Sequence, residues 1–361
     1  MKQHTSDILV IGGGIAGISA AARLSGDAQV TVIEGEKALG YHASGRSAAL
    51  IEENYGAPSV QALNKATIGY LRDGGYLSPR GLMIIADRHE EEAFYSDLAH
   101  MGVEQISPDD ALRLVPILAA ERIAFAGYHA DAHDIDTDRL LQDFAKELRR
   151  NGGQIDTGHP VTAITRNGDM WEVTAGAQTH HAKKLVNAAG AWADQIAILA
   201  GVAPLGITPF RRSMARIAAP GGYDLSRWPM FFGVGETWYA KPDAGALLIS
   251  PAEEDPTDPH DAWADDMVLA EGLERYQNMV AVPLTKPIAT WAGLRSFAPD
   301  RTLVLGPDPA DPDFIWSAGQ GGYGFQTSAA ASQLVADLTL GNTPSLPDTV
   351  VAALRPDRLR P

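Results

Sequence analysis

One unit near the start of the chain restricts the fold more than any other. An apolar run, Ile8-Leu9-Val10-Ile11, leads into Gly12-Gly13-Gly14-Ile15-Ala16-Gly17, then a helical stretch from Ile18 to Leu24, then Val30-Thr31-Val32-Ile33 and Glu34. Strand, glycine turn, helix, strand and terminal acid in this order predict a βαβ unit that binds a dinucleotide, and each piece has its own task. Gly12 permits the tight turn, Gly14 lets the backbone approach a pyrophosphate, and Gly17 lets the helix pack close to the strand. The helix start, at Ile15 and Ala16, offers unpaired N–H groups and a partial positive charge to phosphates. Glu34 stands where it accepts hydrogen bonds from ribose hydroxyls. The unit by itself does not separate FAD from NAD.

With 361 residues the chain has room for two domains, each with its own core. Its net charge of −16 argues against nucleic acid and anionic membrane surfaces as partners. The chain has no cysteine, which excludes disulfides, thiolate metal sites, iron–sulfur clusters, cysteine nucleophiles and a cysteinyl-linked flavin. The first core strand begins within about seven residues of Met1, so no signal peptide is expected. No apolar run approaches the roughly 20 residues of a membrane span, and a cytoplasmic protein without a transmembrane segment is expected.

Nucleotide-domain texture returns twice after the opening unit. Asp138–Arg150 has an apolar helical face of Leu140, Leu141, Phe144, Ala145 and Leu148, with Thr137 or Asp136 as N-cap. Short strands around Ile155 and Val161–Ile164 follow, then a hairpin turn at Asn167-Gly168-Asp169 and a buried strand Lys184–Gly190. The second return is Phe314–Ala318, a glycine-rich turn at 319–324 and a small-residue helix from Thr327. Residues 81–136 and 206–295 instead show β-rich alternation. The expected division is therefore 1–80, 137–205 and 296–361 for the nucleotide domain, with 81–136 and 206–295 forming an inserted sheet domain.

Four further stretches narrow the possibilities: Gly40-Tyr41-His42-Ala43-Ser44-Gly45-Arg46-Ser47-Ala48-Ala49, Val186-Asn187-Ala188-Ala189-Gly190-Ala191-Trp192, Thr290-Trp291-Ala292-Gly293-Leu294-Arg295-Ser296-Phe297 and Gln320-Gly321-Gly322-Tyr323-Gly324. Over almost its whole length the chain resembles the FAD-dependent D-amino acid oxidase superfamily, most nearly its bacterial D-arginine dehydrogenases. The resemblance implies an α/β two-domain fold of the glutathione-reductase-2/DAO type, with a Rossmann-like FAD-binding domain and an inserted β-rich substrate domain. It also implies non-covalent FAD. Ser44, Gly45, Arg46, Ser47, Ala48 and Ala49 then contact the pyrophosphate and flavin, Val161 the adenine, and Ala189 and Gly190 the diphosphate. Gly321 and Gly322 sit at the flavin pyrimidine edge, where N–H groups stabilise charge on the reduced ring. Trp192, Tyr323, Gly324, Gln326, Thr327 and Arg295 complete the implied cofactor set.

An amino acid substrate presents a carboxylate, and a guanidinium is the group best shaped to hold it. Arg211, Arg212 and Arg295 lie at strand-like positions; Arg211 and Arg212 are neighbours, point to opposite faces, and only one of them can serve. The resemblance assigns that part to Arg212, with Arg295 beside it, and makes Tyr55, Arg212, Tyr239, Arg295 and Gly322 the catalytic set, Tyr55 on a lid loop. It implies hydride transfer from the substrate Cα to flavin N5, then hydrolysis to a 2-oxo acid and ammonia, with a quinone, another carrier or oxygen as final electron acceptor. D-arginine dehydrogenases have a glutamate where this chain has Leu82, and a histidine where it has Leu50. With Met230 and Phe232 as the other pocket residues, neutral or hydrophobic D-amino acids are expected over D-arginine. Glu52 and Glu53 on the lid are the acids able to reverse that, although solvated loop carboxylates are the plainer expectation. An N-methyl amino acid or 2-hydroxy acid is the alternative substrate, and a non-catalytic flavin-binding redox protein the remoter alternative.

Other polar clusters are expected to be structural. His129, Asp131, His133 and Asp134 precede a helix and are read as turn and capping residues rather than a metal site. The acidic run Glu253–Asp266 is expected to be a solvated loop, His180-His181 a strand edge, and His42 a packing or hydrogen-bonding residue.

Overall fold

The structure, a computed structural model, describes residues 3–360. Its first layer is an eight-stranded sheet with a parallel centre: Gln154–Thr157, Val30–Glu34, Gln3–Ile11, Gln178–Asn187 and Phe314–Ala318 lie side by side. These strands are apolar on both faces because helices cover both. Helices Ile15–Leu24, Thr137–Arg150 and Ser328–Leu340 pack on one face around Val10, Ile18, Leu24, Phe144 and Val335. Trp171, Phe314, Trp316 and helix Ala193–Leu199 fill the other. The hairpin Val161–Asn167/Met170–Ala175 extends one end of the sheet, turning at Gly168 as the sequence suggests.

Strand Gln178–Asn187 has Gln3–Ile11 along one side and divides its other side between two neighbours: residues 178–182 pair with the hairpin and residues 185–187 with Phe314–Ala318. His180 and His181 are therefore not at a strand edge as expected. They are bonded on both sides, to 4–5 and to 172–173, and His180 is 1% exposed.

The second layer is a nine-stranded sheet in the order Asp255–Pro256, Thr208–Ala218, Ala246–Ser250, Tyr239–Asp243, Met230–Gly233, Leu82–Ala86, Phe125–His129, Glu104–Ile106, with Ala289–Phe297 antiparallel to Thr208–Ala218. Alternation decides its faces. Met83, Ile85, Ala215, Ile217, Phe231 and Ile249 form a core beneath helix Asp266–Gln277. Leu82, Ile84, Met214, Phe232 and Tyr239 point the other way. Helices Glu91–Met101, Pro108–Leu114 and Asp266–Gln277 interrupt stretches expected to be β-rich. Their stop and start signals are local: a capping box from Asp87 to Glu90, left-handed Gly102 at a C-cap, and Ser107 and Asp265 as N-caps. A third sheet of Leu50–Ile51, His133–Ile135 and Leu77–Pro79 lies beside the loop that carries Tyr55.

Candidate functional site

A cleft of about 680 Å³ runs from the opening βαβ unit to the face of the nine-stranded sheet that carries Leu82, Met214, Phe232 and Tyr239. At its nucleotide end Gly12 adopts φ +113°, a conformation closed to other residues without strain, and a Cβ there would meet the Ala188 carbonyl. A Cβ at Gly17 would run into the Gly12 carbonyl oxygen, so helix and turn approach as closely as backbone permits. The helix has Gly14 at its N-cap with no capping side chain; instead the Ile15 N–H donates to Ser44 Oγ at 3.0 Å. Glu34 lines the cleft and also holds the turn, its carboxylate accepting from the Gly13 N–H at 2.6 Å and the Glu36 N–H at 2.7 Å.

Most of the residues expected at the cofactor line this cleft: Gly12, Gly14, Ile15, Ala16, Glu34, Ser44, Arg46, Ser47, Ala48, Ala49, Val161, Ala189, Gly190, Trp192, Arg295, Gly321, Gly322, Gly324 and Gln326. Four lie behind its wall. Gly17 and Gly45 pack against backbone, at Gly12 and Gly40 respectively; Tyr323 packs on Tyr55 and Phe297; the Thr327 hydroxyl donates to the Tyr323 carbonyl. Arg46 is on the wall but already committed. Its guanidinium donates to the carbonyls of Ala262 and Ala292 at 2.8 and 2.9 Å and pairs with Asp261, stapling the loop to the neighbouring sheet. His42 has the structural part expected, 3.0 Å from Glu36 and packed on Trp192. The long cleft, with an uncapped helix start at one end and the Gly321–Gly322 turn near the other, fits an extended dinucleotide such as FAD.

At the other end, Arg212 and Met214 share the cleft face, whereas Arg211 turns away to Asp255 and Asp265. Only one of the neighbouring arginines faces the cleft, as strand alternation requires. Arg212 is 6% exposed and gives one Nη to Glu254 at 3.1 Å, while its Nε and Nη1 have no hydrogen-bond partner among the described residues. Burial and the neighbouring Arg295 guanidinium lower its pKa. Arg295 is half-buried, lines the cleft and has no ion-pair partner among the described residues. Burial opposes its charge, but Tyr239, Tyr55, Glu236 and Glu254 outweigh that and raise its pKa. Gly322 packs against it: a Cβ there would lie 3.1 Å from the Arg295 guanidinium carbon.

Among the described residues the Tyr239 hydroxyl hydrogen-bonds only the Met214 sulfur, at 3.3 Å, a weak acceptor. The Tyr55 hydroxyl donates to Glu236 at 3.1 Å, and burial, with Glu236 next, raises its pKa, so it stays a donor. Glu236 was not foreseen. It stands at φ +51° on the Val234–Glu236 turn, and no local pattern advertises a carboxylate there. Leu50, Leu82, Met101, Met230 and Phe232 complete an apolar wall.

Two readings of acidic residues need correction. In the acidic run Glu253 is half-buried, accepts the Ser213 N–H at 2.6 Å and has its pKa raised by burial, while Glu254 is exposed as expected and bridges Arg212 and Arg301. Glu52 is not a solvated lid residue; it is buried on the cleft wall beside His129. Among the described residues no group of three or more His, Asp or Glu is arranged to hold a metal, and no helix is long and apolar enough to cross a membrane.

The sequence profile of the family described as DAO, FAD dependent oxidoreductase, matches residues 7–338. Glycine oxidase of Bacillus licheniformis is 23% identical over 93% of this chain and 93% of its own length. FAD-dependent oxidoreductase domain-containing protein 1 of Bos taurus is 24% identical over 94% of this chain and 82% of its own. Among solved structures, L-proline dehydrogenase from P. horikoshii superposes with a TM-score of 0.83 at 22% identity, covering 99% of this chain and 98% of that one.

Proposed function

The chain belongs to the DAO family of FAD-dependent oxidoreductases, and from that premise we propose that it oxidises D-amino acids to imino acids, which water converts to 2-oxo acids and ammonia. The observation that carries the reading is two guanidiniums lining one cleft, Arg212 buried with two of its nitrogens unpartnered and Arg295 half-buried with no ion pair among the described residues. Such groups are costly unless an anion joins them, and a carboxylate matches both. Glycine oxidase and L-proline dehydrogenase are named for amino acids, which supports that class of carboxylate. The D configuration rests on the resemblance at Tyr55, Arg212, Tyr239 and Gly322.

In this reading Arg212 and Arg295 grip the carboxylate, and Tyr239 exchanges its weak sulfur acceptor for a substrate oxygen. Tyr55, fixed by Glu236, closes the site from the lid and excludes water. FAD held along Gly12, Gly14, Ser44 and Gly322 would supply the hydride acceptor for the substrate Cα–H. No side chain at the site is needed as a strong base, because the substrate amine enters unprotonated. The protein's contribution is orientation of the Cα–H in a dry, apolar-walled space. We assign cofactor binding to 1–80, 137–205 and 296–361, and substrate binding to 81–136 and 206–295.

The test is anaerobic mixing of the flavin-loaded protein with D-amino acids, L-amino acids, sarcosine and 2-hydroxy acids, following the flavin band at about 450 nm. Bleaching by D-methionine or D-leucine and not by the L-isomers is the expected result. Bleaching only by sarcosine or a hydroxy acid would refute the reading. The preference for neutral side chains, drawn from Leu82, meets a competing observation at Glu52.

A further inference from the structure

We propose that Glu52, steadied by His129, recognises the far end of the substrate side chain and selects amino acids with a terminal cationic nitrogen over neutral ones of the same shape. The inference rests on the amino acid reading above and adds the side-chain class to it.

Glu52 is 4% exposed and lines the cleft. Its carboxylate accepts from the Asn54 N–H at 3.1 and 3.2 Å and from Asn54 Nδ2 at 3.3 Å, and His129 Nε2 stands 3.3 Å away. Among the described residues no lysine or arginine pairs with it. A buried carboxylate held only by amide dipoles and one imidazole lacks a permanent cation. The His129 Nε2 is itself buried without a hydrogen bond, so the contact with Glu52 is not a completed one.

Strand register places this pair at the end of the substrate wall. His129 lies opposite Leu82, and Leu82 opposite Met230. Residues opposite one another share a sheet face, and Leu82 and Met230 both line the cleft. Arg212 and Arg295 rise from Thr208–Ala218 and Ala289–Phe297 at the other side of the same sheet. The pocket therefore has two charged ends of opposite sign, with Leu82, Met230 and Phe232 between them. That pattern matches an amino acid whose carboxylate meets the arginines, whose methylenes cover the apolar wall, and whose distal ammonium or guanidinium meets Glu52. An acidic side chain would be repelled. The Tyr55 N–H donates to the Glu52 carbonyl at 3.3 Å, so a cation held at Glu52 also orders the turn that carries Tyr55.

The deciding experiment compares D-lysine with D-2-aminoheptanoate, in which a methyl replaces the ammonium, as kcat/KM for flavin reduction in the holoenzyme and in Glu52→Gln. The wild-type ratio should favour D-lysine by about tenfold to a hundredfold, as expected for charge-assisted hydrogen bonds, and should fall towards one in the variant. A wild-type ratio near one overturns the assignment whatever the variant does, and so does a high ratio that survives in Glu52→Gln. If no D-amino acid reduces the flavin, the oxidase reading falls and this assignment with it. If D-2-aminoheptanoate and D-lysine react equally well, only the assignment to Glu52 falls.

Discussion

Replacing Arg212 with methionine should raise the stability of the ligand-free protein while nearly abolishing turnover. The guanidinium is 6% exposed, lies within electrostatic reach of Arg295, and leaves Nε and Nη1 without partners. Each unsatisfied buried donor costs about 1–3 kcal/mol, so removing two relieves about 2–6 kcal/mol before other terms. Glu254 is not stranded by the change, since it keeps Arg301 at 2.6 Å. Methionine also fills much of the aliphatic stem's space. Against this, the substrate carboxylate loses charge-assisted hydrogen bonds of about 1.5–3 kcal/mol each, and two of them amount to a factor of about 10² to 10⁴ in kcat/KM. Thermal melting without substrate, anaerobic flavin reduction and the flavin spectrum together make the assay. A lower melting temperature with the flavin retained would refute the accounting of unpaired donors. A loss of less than tenfold in kcat/KM would refute the carboxylate clamp.

Three other outcomes follow from the geometry. Gly17→Ala should yield a folded protein that purifies without its yellow cofactor, because the new methyl group pushes the helix off the Gly12 turn; absorbance of the purified variant checks it. His180 is buried, and its pKa is lowered from the ordinary 6.5, so below pH 6.5 the unfolded chain takes up a proton that the native state refuses and stability falls with pH. His180→Phe should therefore flatten the acid limb of a plot of denaturation midpoint against pH, and an unchanged slope would count against it. Lys241 donates to the Ala48 carbonyl at 2.6 Å and pairs with Asp134 at 2.9 Å, while Asp134 is also held by Arg80. Lys241→Met should free the loop and speed FAD release, measured by fluorescence on dilution, whereas unchanged release would show that the loop holds without it.

The nucleotide end of the cleft was legible because its parts are local. Gly12, Gly14, Gly17 and Glu34 lie within one βαβ unit, and their spacing translates directly into a turn, an approach and an acceptor. The same locality explains the helix Thr137–Arg150 and its cap at Asp136. Errors arose where context overrode a local pattern. His180-His181 looks like a polar strand edge, yet it lies inside a strand long enough to serve neighbours on both sides. Helix Glu91–Met101 was hidden within an apparently β-rich stretch, although Asp87, Glu90 and Gly102 carried its punctuation.

The substrate end resists such reading because it is assembled by register between segments far apart in the chain. Whether Leu82 makes a neutral pocket depends on what stands over it, and that is decided by two pairings, Leu82 with His129 and Leu50–Ile51 with His133–Asp134. Those pairings bring Glu52 down beside His129, a separation of 77 positions that no periodicity encodes. The same logic applies to Glu254, whose neighbours in sequence are acidic and polar but whose neighbours in space are Arg212 and Arg301. In an acidic protein with a net charge of −16, a carboxylate is unremarkable until it is buried. Burial turns it from a solubilising group into one that demands a partner. Glu254 stays exposed and is paired with Arg212 and Arg301; Glu52 is buried with only a histidine and amide dipoles beside it, and the substrate is left to supply the cation.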